Sequence, residues 1–181
     1  MDLSALNNWL VGINNNDSIT AVNNAVSLFC ILLLILVLLI DRKLSSSSIG
    51  IMVLCLGEGL ESILMPSMIR IASTESPLNY FAWYGGLIAM HLTCMAVLLK
   101  FHLAYNLRVS DVSITLAWYY ALSVIMQAID FIDRATFDTG FFATFYQLGN
   151  LLLGTLVAPI AGLVFFREHY QRSRLLHLQE Q

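Results

Sequence analysis

Residues 29–40, "FCILLLILVLLI", put twelve apolar side chains in succession with no polar residue to mark a solvent face. A helix apolar on every side belongs in the core of a large protein or in lipid. Four further apolar runs follow it. A helix needs about 20 residues to cross the hydrocarbon core. On that measure the sequence predicts spans at 19–40, 48–70, 79–105, 112–133 and 139–166. The last is long enough to tilt or to continue past the bilayer. The predicted fold is therefore all-α, a polytopic helical membrane protein with five transmembrane helices.

Composition agrees: 58% of residues are hydrophobic and 12% charged, against about a quarter charged in soluble domains. No polar stretch is long enough for a second folded domain. The expected organisation is an interfacial segment at 1–18, a bundle at 19–166 and a basic amphipathic tail at 167–181. The first span follows an Asn-rich stretch, lacks a basic flank and has no small-residue cleavage site, so it is expected to be retained. No internal repeat is visible. No basic cluster points to nucleic acid.

The basic residues give an orientation. With the N-terminus outside, Arg42, Lys43, Lys100, Arg108, Arg167, Arg172 and Arg174 fall on the cytoplasmic side, and only Arg70 and Arg134 fall outside. Insertion favours that arrangement, and the plasma membrane (the inner membrane in a bacterium) is the expected location. At the ends, Leu3, Leu6, Leu10 and Ile13 share a helical face beside Trp9, as an interfacial helix would. The tail mixes Arg with Tyr170, Leu175, Leu176 and Leu178, which suits an anionic inner leaflet or a cytoplasmic partner protein.

Polar residues inside the spans carry the functional signal. Glu58 sits near the middle of the second span, flanked by Gly57 and Gly59, with Glu61 one turn on. A charge at bilayer centre costs at least about 2.5–3.5 kcal/mol. Something must therefore protonate these carboxylates or face them. His91 falls at a similar depth. In the fourth span Tyr120, Ser123, Gln127, Asp130 and Arg134 recur at helical spacing and form one stripe. Tyr146, Gln147 and Asn150 lie in the outer half of the fifth. The expectation is one intramembrane polar site of Glu58, Glu61, His91, Gln127, Asp130 and Asn150. More modest roles are open to each: Asp130 and Arg134 as an i,i+4 surface pair, Gln127, Ser123 and Asn150 as interhelical hydrogen-bonders, His91 as a neutral core histidine.

Two backbone features accompany the site. Pro66 removes an amide and is expected to kink the second span near Glu61. Gly154, Ala158 and Gly162 recur every four residues, a close-packing face within the bundle or between protomers of a homo-oligomer.

Three classes of function fit. The first is ion or proton conduction, or a small channel or transport subunit, since intramembrane ionisable residues mark such pathways. The second is a sensor or scaffold anchoring a cytoplasmic partner through the tail. The third is a redox subunit with an intramembrane metal or haem. Cys55, Glu58, His91 and Cys94 are chemically suited to zinc or copper, and His91 and His102, eleven residues apart, could each approach a haem. Cys30, Cys55 and Cys94 are odd in number and lie inside spans, so no structural disulfide is expected. The sequence displays no nucleophile–base pair, phosphate loop or metalloprotease motif, which argues against soluble-type enzymatic chemistry.

Overall fold

The computed structural model describes residues 16–72, 77–137 and 142–179. Among them the chain is helical apart from short connections. Helix α1 spans Asn16–Asp41, α2 Ser46–Ala72, α3 Pro77–Ala104, α4 Asp111–Ile132 and α5 Ala143–Gln179, and a π-helical turn at Asp133–Phe137 extends α4. All five helices contain stretches long and apolar enough to cross a membrane: Asn24–Asp41, Ser46–Met68, Phe81–Ala104, Asp111–Thr136 and Phe145–Arg174. These match the five predicted spans to within a few residues, except at α5. That helix continues to Gln179 because "REHYQRSRLLHLQ" contains neither Gly nor Pro to stop it. The interfacial segment expected at the N-terminus lies largely outside the described residues.

Short connections make sequential helices antiparallel neighbours. Helix α1 packs on α2 and α5, α3 on α2 and α4, and α4 also touches α2 and α5. The inner helices are thus α2 and α4. Two caps hold the connections at one end of the bundle. After α3, the Leu107 amide donates to the His102 carbonyl at 3.1 Å and the Asn106 amide to Leu103 at 3.4 Å, with Asn106 at φ 48°. This is a Schellman closure, and Asn tolerates the left-handed conformation it demands. Before α2, Ser45 and Ser48 cap each other: the Ser48 amide donates to Ser45 Oγ at 3.1 Å and the Ser45 amide to Ser48 Oγ at 2.8 Å. The arrangement is a capping box with serine in the glutamate position.

This end of the bundle carries the α1–α2 and α3–α4 connections, and so holds Arg42, Lys43, Lys100 and Arg108. Glu168 of α5 reaches Ser47 and Asp111 here, which adds Arg167, Arg172 and Arg174. This is the basic end of the bundle. Arg70 and Arg134 mark the far end.

The bundle is apolar outside and partly polar inside. Leu28, Leu39, Ile63, Leu99, Trp118 and Leu163 are exposed, whereas Ser113, Ser123, Gln127 and Asp130 are buried. On α1, Cys30, Leu33 and Val37 turn inward while Ile31, Leu32, Ile35 and Leu36 remain outside. The 3–4 spacing of the buried residues is that of one helical stripe.

The small-residue run of α5 divides. Ala158 and Gly162 are buried within the chain, and a Cβ at Gly162 would meet Leu33 Cδ1 of α1 at 3.3 Å. Gly154 has nothing within 4 Å of its Cβ position. Gly162 therefore lets α5 approach α1, Ala158 is packed in the core, and Gly154 takes no part. Ala158→Leu is expected to destabilise the protein by about 1–3 kcal/mol through overpacking. Gly154→Ala should be neutral or gain up to about 1 kcal/mol from helix propensity. Thermal unfolding of the purified variants in detergent checks both. Loss of assembly at unchanged stability in Ala158→Leu would instead put that residue between protomers.

Candidate functional site

The middle layer is built around Glu58. Tyr119 of α4 donates its hydroxyl to Glu58 Oε1 at 3.0 Å, so a carboxylate of α2 is met by a donor from the other inner helix. Gly57 makes the approach possible, since a Cβ there would lie 3.1 Å from Cys94 Sγ and 3.3 Å from Tyr120 Oη. Gly59 faces open space and serves no such purpose. His91 of α3 is buried. Its ring meets Tyr119 edge-on at 6.2 Å and lies 5.9 Å from Tyr120. Glu61, one turn along α2, is half-buried.

The far-end layer is built around Asp130, whose side chain is 1% exposed. Its Oδ2 accepts the Tyr84 hydroxyl from α3 and the Arg134 Nε–H, the latter at 3.1 Å. Beside it, Tyr146 of α5 donates to Gln127 Oε1 at 2.7 Å, and Trp83 Nε1 donates to Tyr146 Oη at 3.4 Å. The Tyr84 and Tyr146 rings stand edge to face, 5.7 Å apart, a favourable geometry for aromatic pairs. Between the two layers Ser123 turns its hydroxyl back to the Tyr119 carbonyl at 2.9 Å. Asp130 lies seventeen residues beyond Ser113 on α4, about 26 Å at 1.5 Å per residue. The buried face of this helix thus runs most of the depth of a bilayer core.

The basic end holds a third cluster. Ser46 Oγ of α2 stands 2.6 Å from His102 Nε2 of α3, 3.0 Å from Ser110 Oγ and 3.1 Å from Ser113 Oγ of α4. It also accepts the Ser110 amide at 2.8 Å. Ser113 Oγ donates to the Ser46 carbonyl at 2.9 Å, and His102 Nδ1 lies 2.7 Å from the Leu98 carbonyl. Next to this knot Glu168 of α5 accepts the Ser47 hydroxyl at 2.9 Å and the backbone N–H of Asp111. Its carboxylate thereby sits at the N-termini of α2 and α4, where helix dipoles favour negative charge.

The clusters differ in closure. Among the described residues, the buried side-chain atoms without a hydrogen-bond partner are His91 Nδ1, Tyr120 Oη and Asp130 Oδ1. All three belong to the middle and far-end layers. An unsatisfied buried polar atom costs about 1–3 kcal/mol, so their restriction to two layers marks those layers as different in kind from the closed serine knot.

The predicted polar site is therefore two layers. Glu58 and His91 share the middle layer, while Gln127 and Asp130 share the far-end one. Asn150 is half-buried on α5, and Gln147 is exposed. Asp130 and Arg134 do form the i,i+4 pair, but the carboxylate is interior, not at a surface. The residue that meets Glu58 is Tyr119, one position off the predicted stripe. Tyr119, Tyr84 and Trp83 escape a sequence reading because aromatic residues in an apolar run look like packing.

The serine knot was missed altogether. Its signal is the serines gathered at two helix starts, residues 45–48 and Ser110 with Ser113. Ser46 and His102 also form the nucleophile–base contact that the sequence does not display. The Ser46 oxygen is, however, enclosed by four partners. His102 spends both ring nitrogens on Ser46 and Leu98, which removes the haem-ligand role considered for it. Among the described residues no three His, Cys, Asp or Glu side chains stand close enough to hold a metal ion, so Cys55, Glu58, His91 and Cys94 do not assemble into a metal site. The cysteines are free thiols.

An apolar exterior, a polar interior and five helices of spanning length are the build of an integral membrane protein. Comparison with known proteins finds no matching family model, no matching curated protein and no matching solved structure.

Proposed function

We propose that this chain is an integral membrane protein that moves protons along the interior of its own bundle. The relay is the buried face of α4 and the acids and phenols it meets: Glu58, Tyr119, His91 and Tyr120 in the middle, Gln127, Tyr146, Tyr84 and Asp130 at the far end. The observation that carries this reading is the placement of His91 Nδ1, Tyr120 Oη and Asp130 Oδ1, buried without a protein partner, on these two layers. Ionisable and hydroxylic groups in such a series are the usual parts of proton relays in membranes.

The seven basic residues gathered at one end support an orientation with that end in the cytoplasm, and with it a plasma-membrane location. The relay lies within one chain, so it does not depend on the homo-oligomer suggested by the small-residue run. A second reading, a scaffold or sensor docking a cytoplasmic partner, draws support from the continuation of α5 to Gln179.

Reconstitution separates the two. Purified protein in liposomes with an internal pH-sensitive dye and a potassium diffusion potential should dissipate an imposed proton gradient faster than protein-free vesicles. Equal rates would leave the anchoring role as the better reading.

A further inference from the structure

The five helices pack unevenly along the bundle. In the basic half α1 buries Leu33 and Val37, α2 buries Ile51 and Leu54, and α5 buries Ala158 and Ala161. Helices α3 and α4 keep their buried stripes to the far end, through Tyr84 and Asp130. The other three do not. The described residues within 21–29 of α1, 58–68 of α2 and 147–156 of α5 include none that is buried. Gly154 continues the inward face of Ala158 and Gly162 by one turn, yet a Cβ on it would meet nothing within 4 Å. The inward face of α5 therefore opens on space there. The result is a cleft in the far half walled by α1, α2 and α5, with Glu58 at its inner end and Glu61 one turn further out. We propose that this cleft binds a lipophilic amine in its ammonium form, held by Glu58 and Glu61.

The walls lack what an ammonium brings. Residues 21–29, 58–68 and 147–156 contain two acidic side chains and no basic one. Their other polar groups are largely engaged. Ser27 and Ser62 bond each other at 3.0 Å, Thr155 returns its hydroxyl to the Leu151 carbonyl at 2.7 Å, and Asn150 bonds Tyr146. Glu58 receives one donor, Tyr119, where a carboxylate can accept about four hydrogen bonds. Among the described residues neither a donor nor a cation meets Glu61. At the inner end Tyr120, 2% exposed, holds its unpartnered hydroxyl beside Gly57. Acceptors and negative charge are thus in surplus at one place.

An ammonium supplies positive charge and N–H donors together. Hydrogen bonds of that kind are about twice as strong as neutral ones, and a site of low dielectric strengthens them further. A bare calcium or magnesium ion fits less well. It takes about six oxygen ligands, and among the described residues no three His, Cys, Asp or Glu side chains stand close enough to share one. The apolar body of the ligand follows from the half-buried Val26, Leu151 and Leu153 on the same helices. A packing role alone would leave the two acids paired or the three helices closed over them. Neither holds. Glu58 also belongs to the proton relay, so a bound ammonium takes the place of its proton. That coupling rests on the proton-transfer reading, whereas the binding site does not.

The test is equilibrium dialysis of radiolabelled phenethylamine at neutral pH against the full chain in phosphatidylcholine nanodiscs, with empty nanodiscs as the blank. Saturable binding of the amine is expected, and none of phenylpropionate, which carries a carboxylate on the same apolar body. Glu61→Gln should weaken binding at least about tenfold, the loss of one hydrogen bond to a charged group. Glu61 has no partner to strand, so this variant is expected to fold. Gly154→Leu should also lower the affinity, by filling the cleft, with thermal stability retained. Phosphatidylethanolamine in the nanodiscs tells the source of the ammonium: competition makes it a lipid headgroup, and no competition makes it a free amine. Absence of saturable amine binding, or equal binding by Glu61→Gln, overturns the proposal. The liposome assay keeps the two readings apart. Amine binding without proton flux would sink the relay and leave this site standing. Flux without amine binding would sink this site alone.

Discussion

Liposomes carrying Glu58→Gln are expected to show proton flux no faster than protein-free vesicles, although the variant folds as well as the native chain or better. Glutamine keeps the shape of Glu58 and an oxygen to accept the Tyr119 hydroxyl, now 3.0 Å away. It removes the exchangeable proton. It also removes any charge at mid-membrane, where even the lenient insertion scales assign a cost of about 2.5–3.5 kcal/mol. Glu58→Leu is expected to lose flux as well and to lower stability by about 1–3 kcal/mol, because the buried Tyr119 hydroxyl is left without an acceptor. The contrast between the two variants separates proton transfer from packing. If Glu58→Gln combined with Glu61→Gln conducts at the native rate, the middle layer is structural and the anchoring role takes the lead.

Asp130→Ala should give the largest loss of stability of any substitution in the far-end layer. One oxygen of Asp130 holds together α3, through Tyr84, and the π-helical turn that extends α4, through Arg134. Removing the acid strands the buried Tyr84 hydroxyl and takes one acidic partner from Arg134. Breaking a buried pair from one side costs about 3–5 kcal/mol. The lower end of that range applies here, because the Arg134 side chain is 34% exposed and can reach solvent. Asp130→Asn keeps an acceptor for Tyr84 and should cost far less stability, yet it removes the carboxylate from the relay. Thermal unfolding in detergent should therefore rank Ala well below Asn, with flux lost in both. Equal stability of the two variants would show that Tyr84 and Arg134 find other partners, and the layer would then not hold the bundle together.

How much of this was legible in the sequence follows from which forces act locally. Span number and limits were legible, because hydropathy over some twenty residues is a property of the segment alone. The buried face of α4 was legible too. Its polar residues recur at helical spacing, and in lipid a polar stripe can only turn inward. The buried stripe of α1 was not. Cys30, Leu33 and Val37 differ little from their neighbours in hydropathy, so the choice of inward face falls to the shape of α2 and α5. The same holds for the small residues of α5: Gly154, Ala158 and Gly162 look equivalent in the sequence, and only the position of Leu33 separates Gly162 from Gly154.

The sequence by itself determined that the chain is helical, that five segments can cross a membrane, and that Glu58 and Asp130 require partners inside the bundle. Desolvating a charge is expensive wherever the fold places it. The partners themselves were decided by tertiary structure. Tyr119 rather than Tyr120 reaches Glu58, Tyr84 reaches Asp130 across 46 positions, and Ser46 meets His102 across 56. Such contacts depend on the rotation and depth at which antiparallel helices settle, and that register comes from packing along whole faces, which no local spacing encodes.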